Sequence, residues 1–79
     1  MDNNKKYSMA FSSTFSINED SLIDLEYNKI DEWDSIGHMT LIAEIEQQFE
    51  ISIETDDVID FSSFKKGKEI LKKYGVNLN

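Results

Sequence analysis

Ser35 and His38 stand three residues apart with Asp34 beside the serine, so a nucleophile, a base and a carboxylate share one short stretch. They do not make a hydrolase. No G-x-S-x-G elbow surrounds the serine and His38 is the only histidine. Three groups within one helical turn also leave the base without an orienting carboxylate on its far side. The acid clusters raise calcium as the next chemistry. An EF-hand loop needs alternating acids, a central glycine and a closing glutamate at fixed spacing; neither residues 18–29 nor residues 54–65 supply that glycine, so no metal site is expected. Gly37, Gly67 and Gly75 are isolated, which excludes a phosphate-cradling glycine loop. Cysteine is absent, and with it disulfides, thiolate metal ligands and a nucleophilic side-chain thiol. What survives is the serine. If Asp34 is an N-cap, Ser35 stands in the first helical turn, where unpaired amides and the helix dipole favour an anion. A phosphate-bearing modification of Ser35 is the chemistry that place suits. Taken alone, an Asp-Ser pair is ordinary helix-start chemistry, and His38 reads as a half-buried packing residue.

The elements that position these residues follow from apolar spacing. Tyr7, Phe11 and Phe15 recur every fourth residue, which predicts an amphipathic helix over residues 5–15 after a frayed tail at residues 1–4. Between residues 16 and 34 no period holds, yet Ile17, Leu22, Leu25, Tyr27, Ile30 and Trp33 lie there. The segment reads as a long loop pinned to the core by those side chains, with one short turn near residues 20–25. From Ser35 to Glu50 the pattern is the clearest helix, with Leu41, Ile42, Ile45 and Phe49 on one stripe facing the core. A second stripe of Ile36, Met39 and Ala43, edged by Glu46, Gln47 and Glu50, suits bilateral packing or a docking surface. Ile51 and Ile53 anchor a short connection, and Thr55 is placed to cap a brief helix through Val58 and Ile59. Ser62 or Ser63 starts a last helix with Phe64, Ile70, Leu71 and Tyr74 inward, Gly67 allowing close approach and Gly75 at its C-terminal end. The expectation is an all-α, small four-helix bundle: three principal helices plus one short helix, with a long loop between helices one and two.

Seventy-nine residues with 39% hydrophobic content support one domain, here residues 5–79, and no second core. Sixteen acids against eight lysines leave a net charge of −8, with no arginine, which disfavours nucleic acid as a partner. No lysine lies between Ile30 and Phe64, whereas five crowd between Lys65 and Lys73. The middle of the chain is therefore negative and would steer basic partners toward it. No apolar run spans a bilayer and no signal peptide opens the chain, so a soluble, cytoplasmic protein without membrane partners is expected. A monomer is expected as well.

Set in this frame, the Asp34-Ser35-Ile36 triplet resembles the Asp-Ser-Leu modification motif of acyl carrier proteins. Residues 39–49 look like that family's second helix, Ile51 and Ile53 like the anchors after it, Asp56-Asp57-Val58 like its acidic third helix and residues 61–74 like its last. The resemblance implies a non-catalytic carrier whose Ser35 bears 4′-phosphopantetheine, placed there from coenzyme A by a phosphopantetheinyl transferase, with acyl groups carried as thioesters. It also implies that Asp34 serves transferase recognition and that His38 lies next to the arm. Acyl-loading and acyl-transferring enzymes with basic docking surfaces would then meet Ile36, Met39 and Ala43 as the apolar centre of a face, with Glu44, Glu46, Gln47, Glu50, Asp56 and Asp57 around it. The sequence departs from the family pattern at Glu32, where glycine is common, and at Trp33, Ile36, Gly37 and His38. Those departures suggest a specialised biosynthetic pathway rather than housekeeping fatty-acid synthesis. The alternative is an acidic helical adaptor that binds a basic protein and is never modified.

Overall fold

A computed structural model describes residues 2–78 of the chain. Helix α1 (Asn3–Phe15) is followed by a loop containing one 3-10 turn at Glu19–Ser21; α2 (Ser35–Phe49), the short α3 (Thr55–Asp60) and α4 (Phe64–Lys72) complete an all-helical bundle. Among the described residues there is no strand, only one isolated antiparallel bridge between Glu26 and Ser63. Helix α1 begins two residues before the expected start. Asp2 accepts the Lys5 amide at 2.8 Å and caps it, so Asn3 and Asn4 join the helix rather than a tail; Met1, the rest of that expected tail, lies outside the described residues.

The core forms around α1. Tyr7, Ala10, Phe11 and Phe15 are buried along one face of it, and Leu41, Ile42 and Ile45 answer from α2. Phe64, Ile70 and Leu71 close the core from α4. Gly67 earns its place by contact: a Cβ there would lie 2.2 Å from the Tyr7 hydroxyl and 2.3 Å from the Phe61 ring, so α4 can reach α1 only with glycine at that position. The Tyr7 hydroxyl donates to the Phe64 carbonyl at 2.6 Å, which satisfies it inside the core, and burial pushes its pKa far above the ordinary tyrosine value.

The long loop is ordered by the side chains that the sequence pattern left unassigned to any helix. Leu22, Leu25 and Trp33 are buried, Trp33 completely. Its backbone is stitched to the start of α4, with the Tyr27 amide donating to the Ser62 carbonyl at 2.8 Å and the Phe64 amide to the Leu25 carbonyl at 2.9 Å. Ser63, not Ser62, caps α4 by accepting the Lys66 amide. Thr55 does not cap α3. It is the first residue of that helix, and Glu54, in the N-cap position, makes no side-chain capping bond. Gly75 adopts a φ of +81° just past α4, the left-handed conformation for which glycine suits a helix end.

Candidate functional site

Asp34 takes the extended backbone of an N-cap, and its carboxylate accepts the Gly37 amide at 2.8 Å. Ser35 is therefore the first residue of α2 and its side chain is exposed. The amides of that first turn have no intrahelical partner, and Asp34 takes only one of them. An oxygen-bound phosphate at Ser35 would sit at the electropositive end of a helix of fifteen residues.

What lies just before the helix fixes how it starts. A Cβ at position 37 would fall 1.8 Å from the Glu32 carbonyl oxygen and 3.3 Å from the Phe15 ring, so Gly37 lets the incoming loop cross directly over the first turn. Trp33, one of the side chains expected to pin the loop to the core, points wholly inward against Phe11 and Phe15 of α1, with ring centroids 5.5 and 5.4 Å away. Its indole nitrogen donates to Nδ1 of His38 at 2.9 Å. The other imidazole nitrogen lies 2.7 Å from the Val58 carbonyl. Since Nδ1 accepts from an indole that can only donate, the ring proton belongs on Nε2, where it donates to Val58. His38 is thus half-buried, as its position on the stripe suggested, and it fastens the loop, α2 and α3 together.

Ser35 also lines the edge of a mostly apolar cleft of about 340 Å³ between α2 and α3, together with Tyr27, His38, Met39, Val58, Ile59, Phe61 and Ser62. Tyr27, Val58, Ile59, Phe61 and Ser62 were not singled out as site residues by the sequence. Ile59 had a signal: Val58 and Ile59 are adjacent on a six-residue helix, and one face cannot bury both. Val58 packs on the core and Ile59 is 73% exposed.

The other residues expected on this face divide into three groups. Ile36 at 77% and Met39 at 57% exposure, with Ala43, Gln47 and Glu50 on the same stripe, face outward, as does Asp56 on α3. Glu44 and Glu46 are half-buried and already engaged: Glu44 accepts from Gln48, and Glu46 accepts the Ile53 amide at 2.8 Å, holding the connection after α2. Asp57 departs from the expectation. It is 8% exposed, and its two carboxylate oxygens take the Lys73 ammonium and the Tyr74 hydroxyl. The hydrogen bonds from Lys73 and then Tyr74 hold its carboxyl below the ordinary aspartate pKa despite burial. Its charge is consumed in tying α3 to α4.

With this geometry in hand, the family model described as phosphopantetheine attachment site matches residues 32–66, from the loop before Ser35 to the first turn of α4. The match is consistent with a phosphopantetheine-bearing carrier protein family, and the group such a family carries is covalently attached 4′-phosphopantetheine. No curated protein and no solved structure matches the chain. The residues present fit that group: an exposed serine hydroxyl at a helix start for the phosphodiester, and an apolar cleft opening beside it for the arm. Among the described residues no helix is long and apolar enough to cross a membrane, and no cluster of three or more acidic, histidine or cysteine side chains is placed to hold a metal.

Proposed function

We propose that this chain is an acyl carrier: Ser35 bears the phosphopantetheine arm, and the protein presents thioester-bound acyl groups to partner enzymes without catalysing a reaction itself. The observation that carries the reading is the exposed Ser35 at the first position of α2, inside the matched attachment-site segment and on the rim of an apolar cleft. The bound arm supplies a thiol on a flexible tether. In the transfer the Ser35 Oγ would attack the phosphorus that bears the pantetheine in coenzyme A and give up its proton as the diphosphate P–O bond breaks and adenosine 3′,5′-bisphosphate leaves; Asp34 fixes the first turn by accepting the Gly37 amide, and its exposed carboxylate is available to a transferase. The acyl cargo cannot migrate to a side-chain thiol, because the chain has none.

Partners in this reading are a phosphopantetheinyl transferase drawing on cytoplasmic coenzyme A and enzymes with basic docking surfaces. The face they would meet combines exposed Ile36, Met39 and Ile59 with the carboxylates of Asp34, Glu50 and Asp56 around them. Apolar burial would supply affinity and the acidic rim orientation and encounter rate. The carrier domain in this proposal, expected over residues 5–79, takes in the whole of α1 from Asn3, and the departures at Glu32, Trp33, Ile36, Gly37 and His38 favour a specialised pathway.

The direct test is intact mass spectrometry after incubation with coenzyme A and a broad-specificity phosphopantetheinyl transferase. Wild type should gain the mass of one phosphopantetheine and Ser35→Ala none. A wild-type chain left unmodified by several unrelated transferases, with its fold intact by circular dichroism, would refute the assignment.

A further inference from the structure

Ser35 lies inside a ring of chain closed by one side-chain hydrogen bond. Trp33, two residues before it, donates its indole N–H to Nδ1 of His38, three residues after it, at 2.9 Å. Both ends of that bond are anchored. Trp33 is fully buried against Phe11 and Phe15, its amide donates to the Ile30 carbonyl at 3.1 Å, and its carbonyl accepts the Asn28 amide at 2.9 Å. His38 stacks on the indole with centroids 6.1 Å apart, and its Nε2 donates to the Val58 carbonyl of α3. The serine is the exposed step between two held side chains, on a turn capped by Asp34.

Resting on the carrier reading, we propose that the Trp33–His38 clamp positions the Ser35 hydroxyl for the transferase, and that it closes only while the imidazole is neutral. Both are positioning residues, acting through the backbone on either side of the serine. A reacting group displaced by about 1 Å loses on the order of 100-fold in rate, so the clamp has a rate to protect. Protonation would put an N–H on Nδ1, facing an indole that can only donate; the bond is lost and a buried donor is left unmade. The elements that touch His38 offer no substitute. The loop brings the Tyr27 phenol, Lys29, Asp31 and Glu32, α2 begins at Asp34, and α3 carries Asp56, Asp57 and Asp60. Asp57 is taken by Lys73 and Tyr74, and among the described residues no carboxylate pairs with the imidazole. The clamp is therefore complete at high pH and opens as pH falls and His38 takes up its proton.

The test measures kcat/KM of the full chain as the substrate of a phosphopantetheinyl transferase, read by mass gained, from about pH 8 to about pH 5, where histidine changes charge. Wild type is compared with His38→Gln, His38→Ala and Trp33→Phe, each checked for folding by circular dichroism. The glutamine amide has an acceptor and donors at its end and does not titrate, so it can serve both bonds at every pH. At pH 8, His38→Ala and Trp33→Phe should be slower by about tenfold or more, and His38→Gln should recover most of that loss. As pH falls, the wild-type rate should drop relative to His38→Gln, which cancels the transferase's own pH dependence. The indole N–H resonance of Trp33, the only tryptophan, should move with pH in wild type and stay fixed in His38→Gln. Should His38→Ala or Trp33→Phe fail to fold, the ratio of wild type to His38→Gln decides the matter. A ratio constant over that range, a folded His38→Gln no faster than a folded His38→Ala, or a wild-type indole resonance unmoved by pH overturns the proposal. Failure of the carrier reading would be seen separately, as a wild-type chain that never gains mass while its indole resonance still follows pH.

Discussion

At the scale of single residues, Gly37 decides how the serine is presented. Alanine is the better helix former by about 1 kcal/mol, so propensity alone predicts that Gly37→Ala stabilises α2. Contact predicts the reverse, because the added carbon would lie 1.8 Å from a backbone oxygen of Glu32, which cannot swing aside as a flexible side chain can. Overpacking of that kind costs about 1–3 kcal/mol and here outweighs the propensity gain. The expected outcome for Gly37→Ala is a net loss of about 1–2 kcal/mol in urea unfolding, and a variant as stable as wild type would show that the loop before α2 yields easily. Asp34 and Ser35 were legible in the sequence because an N-cap and its first turn are settled within four residues of chain. Asp57 was not. Its burial depends on Lys73 and Tyr74, sixteen and seventeen residues away, and local sequence carries no trace of that meeting.

Among the elements, α3 has the weakest claim to exist unaided. Six residues are too few for a helix to hold in water, so α3 must be fastened from outside. His38 of α2 holds the Val58 carbonyl, Tyr74 accepts the Glu54 amide at 3.0 Å, and Lys73 and Tyr74 together hold Asp57. The cluster makes the element's stability depend on pH from both directions. Asp57 titrates lower folded than unfolded, first because of its hydrogen bond from Lys73, so its contribution is complete above the ordinary carboxylate pKa near 4 and fades as pH falls through its depressed value. Lys73 and Tyr74 both titrate higher folded than unfolded, chiefly through their bonds to Asp57, so their contribution holds at neutral pH and fades as pH rises through those raised values. Asp57→Asn should lower the melting temperature at pH 7, and the gap to wild type should narrow as pH falls below about 4. A gap that stays constant down to pH 2 would assign the loss to packing rather than charge. The same fastening explains what the sequence could and could not show of the fold. Helices α1, α2 and α4 carry their apolar periods on their surface, whereas the start of α3 has no capping side chain to mark it, and Thr55, the residue of cap type, lies inside it.

Over the whole molecule, charge is distributed against stability. Sixteen acids share a body of 30 × 27 × 19 Å, and among the described residues three of them are paired with a lysine, two of those pairs at exposed positions. Exposed pairs contribute little, so most of the net charge of −8 acts as repulsion within the fold. At about 10 mM ionic strength the screening length is roughly 30 Å and every acid feels the others across the body; at about 150 mM it is roughly 8 Å and only neighbours interact. Hydrophobic packing around α1 changes little over that range, so salt should act almost wholly through the relief of this repulsion. The melting temperature is expected to rise between those two conditions, and for a domain of this size each 1 kcal/mol relieved raises it by about 4–8 °C. Differential scanning calorimetry in sodium chloride would measure it. Neutralising exposed Asp56 should flatten the response, since its charge contributes to the repulsion and makes no compensating ion pair, whereas Asp57→Asn removes an attraction and should leave the response to salt nearly intact. A melting temperature that falls with salt would mean that the attraction between the acidic middle of the chain and the lysines of α4 outweighs the repulsion within the acidic half. In that case the acidic face is held toward the bundle by its own cations, and a basic partner would have to compete with them.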